Sequence, residues 1–223
     1  MQSPLILTIK IAVIATLISV VLGIGAAWLV QRMRRGQGLI DGLFTLPMVL
    51  PPTVVGFGLL LLLGKNGIIG SLLNRLGCSV IFTWKAGVIA AVVVSFPLMY
   101  RTVRGAMEQQ DPDLAAAGRT LGMSEWRIFW EIVLPDCIPG ITAGTVLAFA
   151  RALGEFGATI LIAGNIPGKT QTMSIAIYSA VQAGKLHYHE AAVWALTLCG
   201  ISFAGMIAVN LWNGYLIRRK RGI

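Results

Sequence analysis

Charge is scarce in this chain. Asp, Glu, Lys and Arg make up 12% of its 223 residues, against roughly 25% in a typical soluble domain. That shortage excludes a soluble enzyme with a solvated surface. Acid is the scarcer sign, with nine Asp and Glu against eighteen Lys and Arg, a net charge of +9. Cysteine is rare too. Cys78, Cys137 and Cys199 have no framework or ligand spacing, which excludes a disulfide scaffold and a zinc site; Cys137 and Cys199 read as small core residues. The two histidines, in His187-Tyr188-His189-Glu190, are two apart and do not share a helix face, so no metal site is expected. There is no Gly-x-x-x-x-Gly-Lys-Ser/Thr loop to cradle ATP phosphates, and no His-Glu-x-x-His. Ser95-Phe96-Pro97 has no adjacent base, which argues against an intramembrane hydrolase. What the chain has instead is apolar content, 56%, with a mean hydropathy of +0.78. Disorder is excluded by the same numbers. A basic balance can mean nucleic acid or membrane; this apolar content decides for membrane lipid.

A hydrocarbon core of about 30 Å needs about 20 apolar helical residues. Five segments fit, at about 5–30, 39–63, 86–104, 138–163 and 191–217. The expected fold is all-α and integral to the membrane, one transmembrane domain over 1–223. Basic residues orient it. Eleven fall at the ends of spans one, three and five or in the segments after them: Arg32, Arg34, Arg35, Arg101, Arg104, Arg119, Arg127, Arg218, Arg219, Lys220 and Arg221. Five fall on the opposite side, Lys65, Arg75, Lys85, Lys169 and Lys185. The N-terminus is therefore expected outside and the C-terminus in the cytoplasm. Met1-Gln2-Ser3-Pro4 lacks a basic n-region, so the first segment reads as a retained span and not as a signal peptide. Lys10 lies close enough to the outer end to snorkel.

Prolines interrupt these helices. Leu46-Pro47-Met48-Val49-Leu50-Pro51-Pro52 cannot be a straight helix, because each proline removes a ladder bond. Pro47, Pro51 and Pro52 mark either a packing kink or a hinge used in transport. Glycines 23, 25, 56, 58, 154, 157 and 164 allow helices to approach closely.

The stretch between spans three and four, about 108–135, predicts helix, tight turn, helix. Asp111 is an N-cap, Pro112 suits the first turn, and Asp113 complements the dipole. Gly122 ends the first helix and Ser124 caps the second. The first helix is rich in Ala and Gly, so another protein can approach its backbone, or it merely connects two spans. Pattern alone leaves both open.

This stretch resembles the EAA-type loop of permease subunits of bacterial binding-protein-dependent ABC importers. In that signature a Gly is followed, after nine residues, by Ile-x-Leu-Pro. Here Gly122 is followed at that spacing by Ile132-Val133-Leu134-Pro135. The Glu-Ala-Ala falls on Ala116, Ala117 and Gly118, so the signature Glu is absent. Leu46 to Gly56, Gly64 to Gly70 and the segment Arg151-Ala152-Leu153-Gly154-Glu155-Phe156-Gly157-Ala158 are similar to molybdate permeases, the last shared in part with sulfate and tungstate permeases. The resemblance covers nearly the whole chain. It implies an inner-membrane pore subunit without catalysis of its own. It implies a homodimer, two cytoplasmic ATPase subunits carrying ATP and Mg, an extracytoplasmic oxyanion-binding protein, and molybdate as cargo, with tungstate or sulfate as the alternative. It places ATPase docking at a coupling helix carrying Asp111, Asp113, Ala116, Ala117, Gly118, Arg119 and Gly122, followed by Ile132, Leu134 and Pro135. A proton-coupled carrier is the more distant reading; five spans without internal similarity argue against it.

Arg151 and Glu155 are four apart and share a helix face. From Pro139, twelve residues at about 1.5 Å each put Arg151 roughly 18 Å into the membrane. A lone charge there costs at least about 2.5 kcal/mol, so the two either pair for packing or form a polar gate with Gly154 and Gly157, Arg151 attracting a dianion.

Overall fold

The computed structural model describes residues 3–33 and 35–221. Arg34 and positions 2 and 222 lie outside them. Among the described residues every regular element is helical.

Helix α1 (Pro4–Gln31) begins where Ser3 Oγ accepts from Ile6 N at 3.3 Å, with Pro4 in the first turn. Its 28 residues reach about 42 Å at 1.5 Å each, enough to cross a bilayer. Its apolar side chains go all round. Leu7, Ile11, Ala15, Ser19, Gly23 and Ala27 are buried, whereas Leu17, Val21 and Leu29 on the other face are exposed. A helix that is apolar on every side belongs in lipid, protein on one face and acyl chains on the other.

Helices α2 (Gln37–Val49) and α3 (Pro52–Leu63) replace the single second span. They meet at 111° across extended Leu50 and Pro51. Pro51 and Pro52 disfavour a helical residue before them and supply no N–H, so the chain turns there. Short α4 (Ile68–Arg75) follows, then α5 (Trp84–Glu108), the most buried of the long helices. Helix α5 packs on α1 and on α9 (Ile138–Leu153). Met99 wedges between all three: a Cβ at Gly23 would lie 2.7 Å from its Cγ, and one at Gly144 2.9 Å from its Sδ. Ser19 and Ser95, both fully buried, share a 2.9 Å hydrogen bond across α1 and α5.

Helices α6 (Pro112–Thr120), α7 (Glu125–Ile128) and α8 (Leu134–Asp136) form the loop before α9. A π-turn over Phe129–Val133 joins α7 to α8, with Leu134 N–H reaching Phe129 O. Pro135 can give no N–H to the carbonyl four residues back, and the ladder widens in the turn before it. The 125–136 segment is bent by 70° from α9.

The continuous fourth span expected over 138–163 is broken. Helix α9 stops at Leu153, and α10 (Gly157–Ala163) starts after Gly154, Glu155 and Phe156. Helix α11 (Met173–Gln182), absent from the sequence reading, precedes α12 (Tyr188–Arg221). Among the described residues three helices are long and apolar enough to cross a membrane, or up to five spans if each bent pair counts once. Cys137 is buried, but Cys199 on α12 is exposed, not core.

The two ends of the bundle have distinct contents. One end joins Phe82 N to Ile162 O at 3.0 Å, Met173 N to Thr8 Oγ1 at 2.8 Å, and Lys10 Nζ to the Trp84 ring at 3.8 Å. The other holds the end of α1, the end of α5 and the α6–α8 loop, with Gln31 Nε2 donating to Met107 O at 3.3 Å.

Candidate functional site: a projecting loop and a buried ion pair

Helix α6 forms as its residues dictate. The Asp111 carboxylate accepts from Asp113 N at 2.9 Å. At the other end Gly122 takes φ +74°, and Met123 N reaches Gly118 O at 3.1 Å, the bond that closes a Schellman turn. Ser124 Oγ accepts from Arg127 N at 3.3 Å and starts the next helix.

The helix has two faces. Gly118 is buried, and a Cβ there would lie 3.0 Å from Ile132 Cδ1 and 3.2 Å from Ile128 Cγ1. Leu114, Ala117 and Leu121, at spacings of three and four, point away and are exposed, as are Asp111, Asp113, Ala116 and Arg119. Ile132, Leu134 and Pro135 are half-buried behind the helix. Leu134 packs against the core around Met107, Phe129 and Cys137. The ten residues proposed from sequence thus divide into an outward surface and a supporting bed.

A charge clamp holds the bed to the rest of the protein. Arg119 Nε donates to Glu125 Oε1 at 2.6 Å, and Arg32 at the end of α1 binds the other carboxylate oxygen. The Arg119 hydrogen bond holds the Glu125 carboxyl below the ordinary carboxylate range. A depressed carboxylate contributes stability above its unfolded pKa, and that contribution fades as pH falls through the folded value. The clamp is therefore expected to be complete at neutral pH and to open only below the ordinary carboxylate range. Glu125→Gln should mimic that opening at pH 7, read as faster proteolysis of the loop. Sequence reading did not single out Glu125. Its signal was an acid placed six residues after Arg119, in a chain with few acids.

The second feature lies at the break in the fourth span. Arg151 Nη1 donates to Glu155 Oε2 at 2.7 Å. The Glu155 side chain is 2% exposed and that of Arg151 32%. Glu155 Oε1 accepts from Ala158 N at 2.8 Å, so one carboxylate joins the end of α9 to the first turn of α10. This second role was not legible in the spacing. Gly154 is exposed beside the break. Gly157 faces α3, its missing Cβ 2.8 Å from Pro52 Cβ, and Gly56 does the same towards Ala158 Cα at 2.7 Å. The α2–α3 bend at Pro51 and Pro52 is thus seated directly on the α9–α10 break, whereas Pro47 sits inside α2. Gly56→Ala should push α3 from α10 at a cost of about 1–3 kcal/mol, read as a lower melting temperature of the purified protein.

A third cluster was missed altogether. Asp41 on α2 accepts from Tyr100 Oη and Arg104 Nη1 of α5. Arg104 also bonds Glu108 at 2.8 Å. Asp41 is the only acid before Glu108. A lone acid at the edge of an apolar segment demands a cation, and that signal was available.

A family model described as "Binding-protein-dependent transport system inner membrane component" matches residues 19–222. The chain belongs to this family. It is therefore an inner-membrane component of a transport system, and the catalysis that drives such systems belongs to another subunit. The chain is 44% identical to the molybdenum transport system permease protein ModB of Escherichia coli K12, over 97% of this chain and 95% of that one. It is 41% identical to the putative molybdenum transport system permease protein YvgM of Bacillus subtilis, over 98% and 93%. It is 35% identical to the sulfate transport system permease protein CysT of Escherichia coli K12, over 96% and 77%. In fold it is similar to a chain of the MetNI methionine ABC transporter, with TM-score 0.70 and 15% identity over 94% of this chain and 92% of that one. It is also similar to a chain of a bacterial alginate ABC transporter, with TM-score 0.72 and 16% identity over 96% and 77%. Among the described residues no group of His, Cys, Asp and Glu is placed to hold a metal ion.

Proposed function

We propose that the chain is the pore subunit of an ATP-driven importer of a tetrahedral oxyanion, and that the oxyanion is molybdate. The observation that carries the coupling half is α6, a capped helix with an outward stripe of Leu114, Ala117 and Leu121 and a rigid bed behind it. Such a surface suits the groove of a separate ATPase. The working unit is then two copies of the chain, two ATPase subunits holding ATP and Mg, and an extracytoplasmic binding protein. Alternating access would pass through the joined breaks of α2–α3 and α9–α10, with Arg151 as the positive charge that draws in a dianion. Identity near 44% to molybdenum permeases supports molybdate over sulfate, whose permease relative stands at 35%.

The test is uptake of labelled molybdate by vesicles holding the complete complex, with sulfate and tungstate as competitors. Binding-protein-dependent, ATP-driven molybdate uptake that sulfate does not suppress is the expected result. Uptake of sulfate in preference would assign the chain to the sulfate branch. Uptake without ATP would overturn the importer reading.

The proposed topology is five spans with the N-terminus outside. Native Cys78 reports on it, being exposed between α4 and α5. In a Cys199→Ala background, an impermeant thiol reagent should label Cys78 in intact cells. It should miss a cysteine placed at position 222. The reverse pattern ends this topology.

A further inference from the structure

The corner where α1 meets the projecting loop is built unlike the rest of the surface. Trp28, near the end of α1, contacts the rings of Trp126 and Phe129, with centroids 6.0 and 4.7 Å apart. Trp126 contacts Trp130 one turn on, at 5.6 Å. Trp126 is 60% exposed and Trp130 49%. Indole rings exposed at the end of an apolar span sit at headgroup level, apolar body in lipid and N–H in water.

The charge beside them is unbalanced. Arg32 lies over the Trp28 ring at 4.5 Å and shares the single carboxylate of Glu125 with Arg119. Two guanidiniums on one carboxylate leave one positive charge over. Arg127 is matched by Glu131 at 2.8 Å and adds nothing to that excess. A cleft of about 390 Å³ opens here, lined by Arg32, Arg119 and Glu125 together with Trp28, Gln31 and Gln110. Its charged lining is two guanidiniums against one carboxylate; the Gln31 and Gln110 amides already donate to Met107 O and Val133 O. Guanidinium forks match phosphate oxygens in pairs.

We propose that this corner binds the headgroup of an anionic phospholipid. The phosphate takes the spare donors of Arg32 and Arg119, and Trp126 and Trp130 lie beside it at the lipid–water boundary. Because Arg119 belongs to α6 and Glu125 to its bed, the bound lipid sets the position of the projecting helix relative to the membrane. That consequence for coupling rests on the proposed docking role of α6; the lipid site itself does not.

The experiment purifies the complete complex from vesicles containing equal phosphatidylglycerol and phosphatidylcholine and measures retained lipid by native mass spectrometry. Wild type should retain phosphatidylglycerol preferentially. Arg32→Gln should reduce that preference about fivefold, the effect of about 1 kcal/mol per basic residue at an anionic surface. Arg32→Lys should keep most of it, which separates lipid binding from a folding defect. Equal retention of both lipids by wild type, or an unchanged preference in Arg32→Gln, overturns the site. So does full displacement by inorganic phosphate, which would mark a free-anion site, or loss of the lipid when the ATPase subunits are present, which would mark a protein interface. Coupling is read separately, as transport-stimulated ATP hydrolysis with and without phosphatidylglycerol. A retained lipid with lipid-independent coupling would remove that consequence for coupling and leave the site.

Discussion

Arg151→Ala is expected to be the most damaging single change in the membrane interior. It leaves the Glu155 carboxylate, 2% exposed, with the Ala158 amide as its one remaining partner among the described residues. Removing one partner of a buried pair typically costs about 3–5 kcal/mol. Glu155→Ala should cost less, because Arg151 is one-third exposed and its guanidinium can reach water. It also loses the bond to the start of α10, about 1 kcal/mol for a capping interaction. Glu155→Gln separates these contributions, since a carboxamide oxygen can still accept from Ala158. The double Ala mutant should be less impaired than the sum of the singles, since contacting residues couple. Complex yield and melting temperature measure the packing part. Uptake of labelled oxyanion measures the rest. A double mutant that assembles but transports poorly assigns Arg151 to guiding the anion. Near-normal uptake would leave only packing, and additive losses in yield would deny the pair.

Gly122→Val should uncouple without unfolding. Gly122 sits at φ +74°, where an L-residue costs about 1–2 kcal/mol and a β-branched one is worst placed. No neighbour lies within 4 Å of a Cβ built there, so the effect is backbone strain and not a clash. The strain falls on the turn between α6 and its bed. Membrane insertion is therefore expected to be normal, while transport-coupled ATP hydrolysis is lost. Gly122→Asn should retain much of it, because Asn tolerates this conformation better. Unchanged coupling in a folded Gly122→Val complex would falsify the docking role of α6.

Several local decisions were legible along the chain because they depend on neighbours in sequence. Asp111, Gly122 and Ser124 cap and end their helices through bonds reaching at most five residues. The double proline at 51 and 52 bends the chain whatever surrounds it. Long apolar runs made α1, α5 and α12 helices, and their lengths follow from the bilayer. The i, i+4 spacing of Arg151 and Glu155 was enough to bring the two charges into contact.

Tertiary structure decided what composition cannot encode. The fourth apolar segment contains only Gly154 and Gly157 as breakers near its break, and glycine is tolerated in membrane helices. That it breaks after Leu153 depends on Pro52 and Gly56 of α3 seating against Gly157 and Ala158, about a hundred residues away. The pairings of Asp41 with Arg104 and of Glu125 with Arg32 join distant elements, so no local period announces them. The division of the loop into an outward stripe and a bed depends on Ile128 and Ile132 rising to meet Gly118. Local bonding set where the elements start, stop and bend; long-range packing of small residues and buried charges set which of them meet, and so where the candidate sites lie.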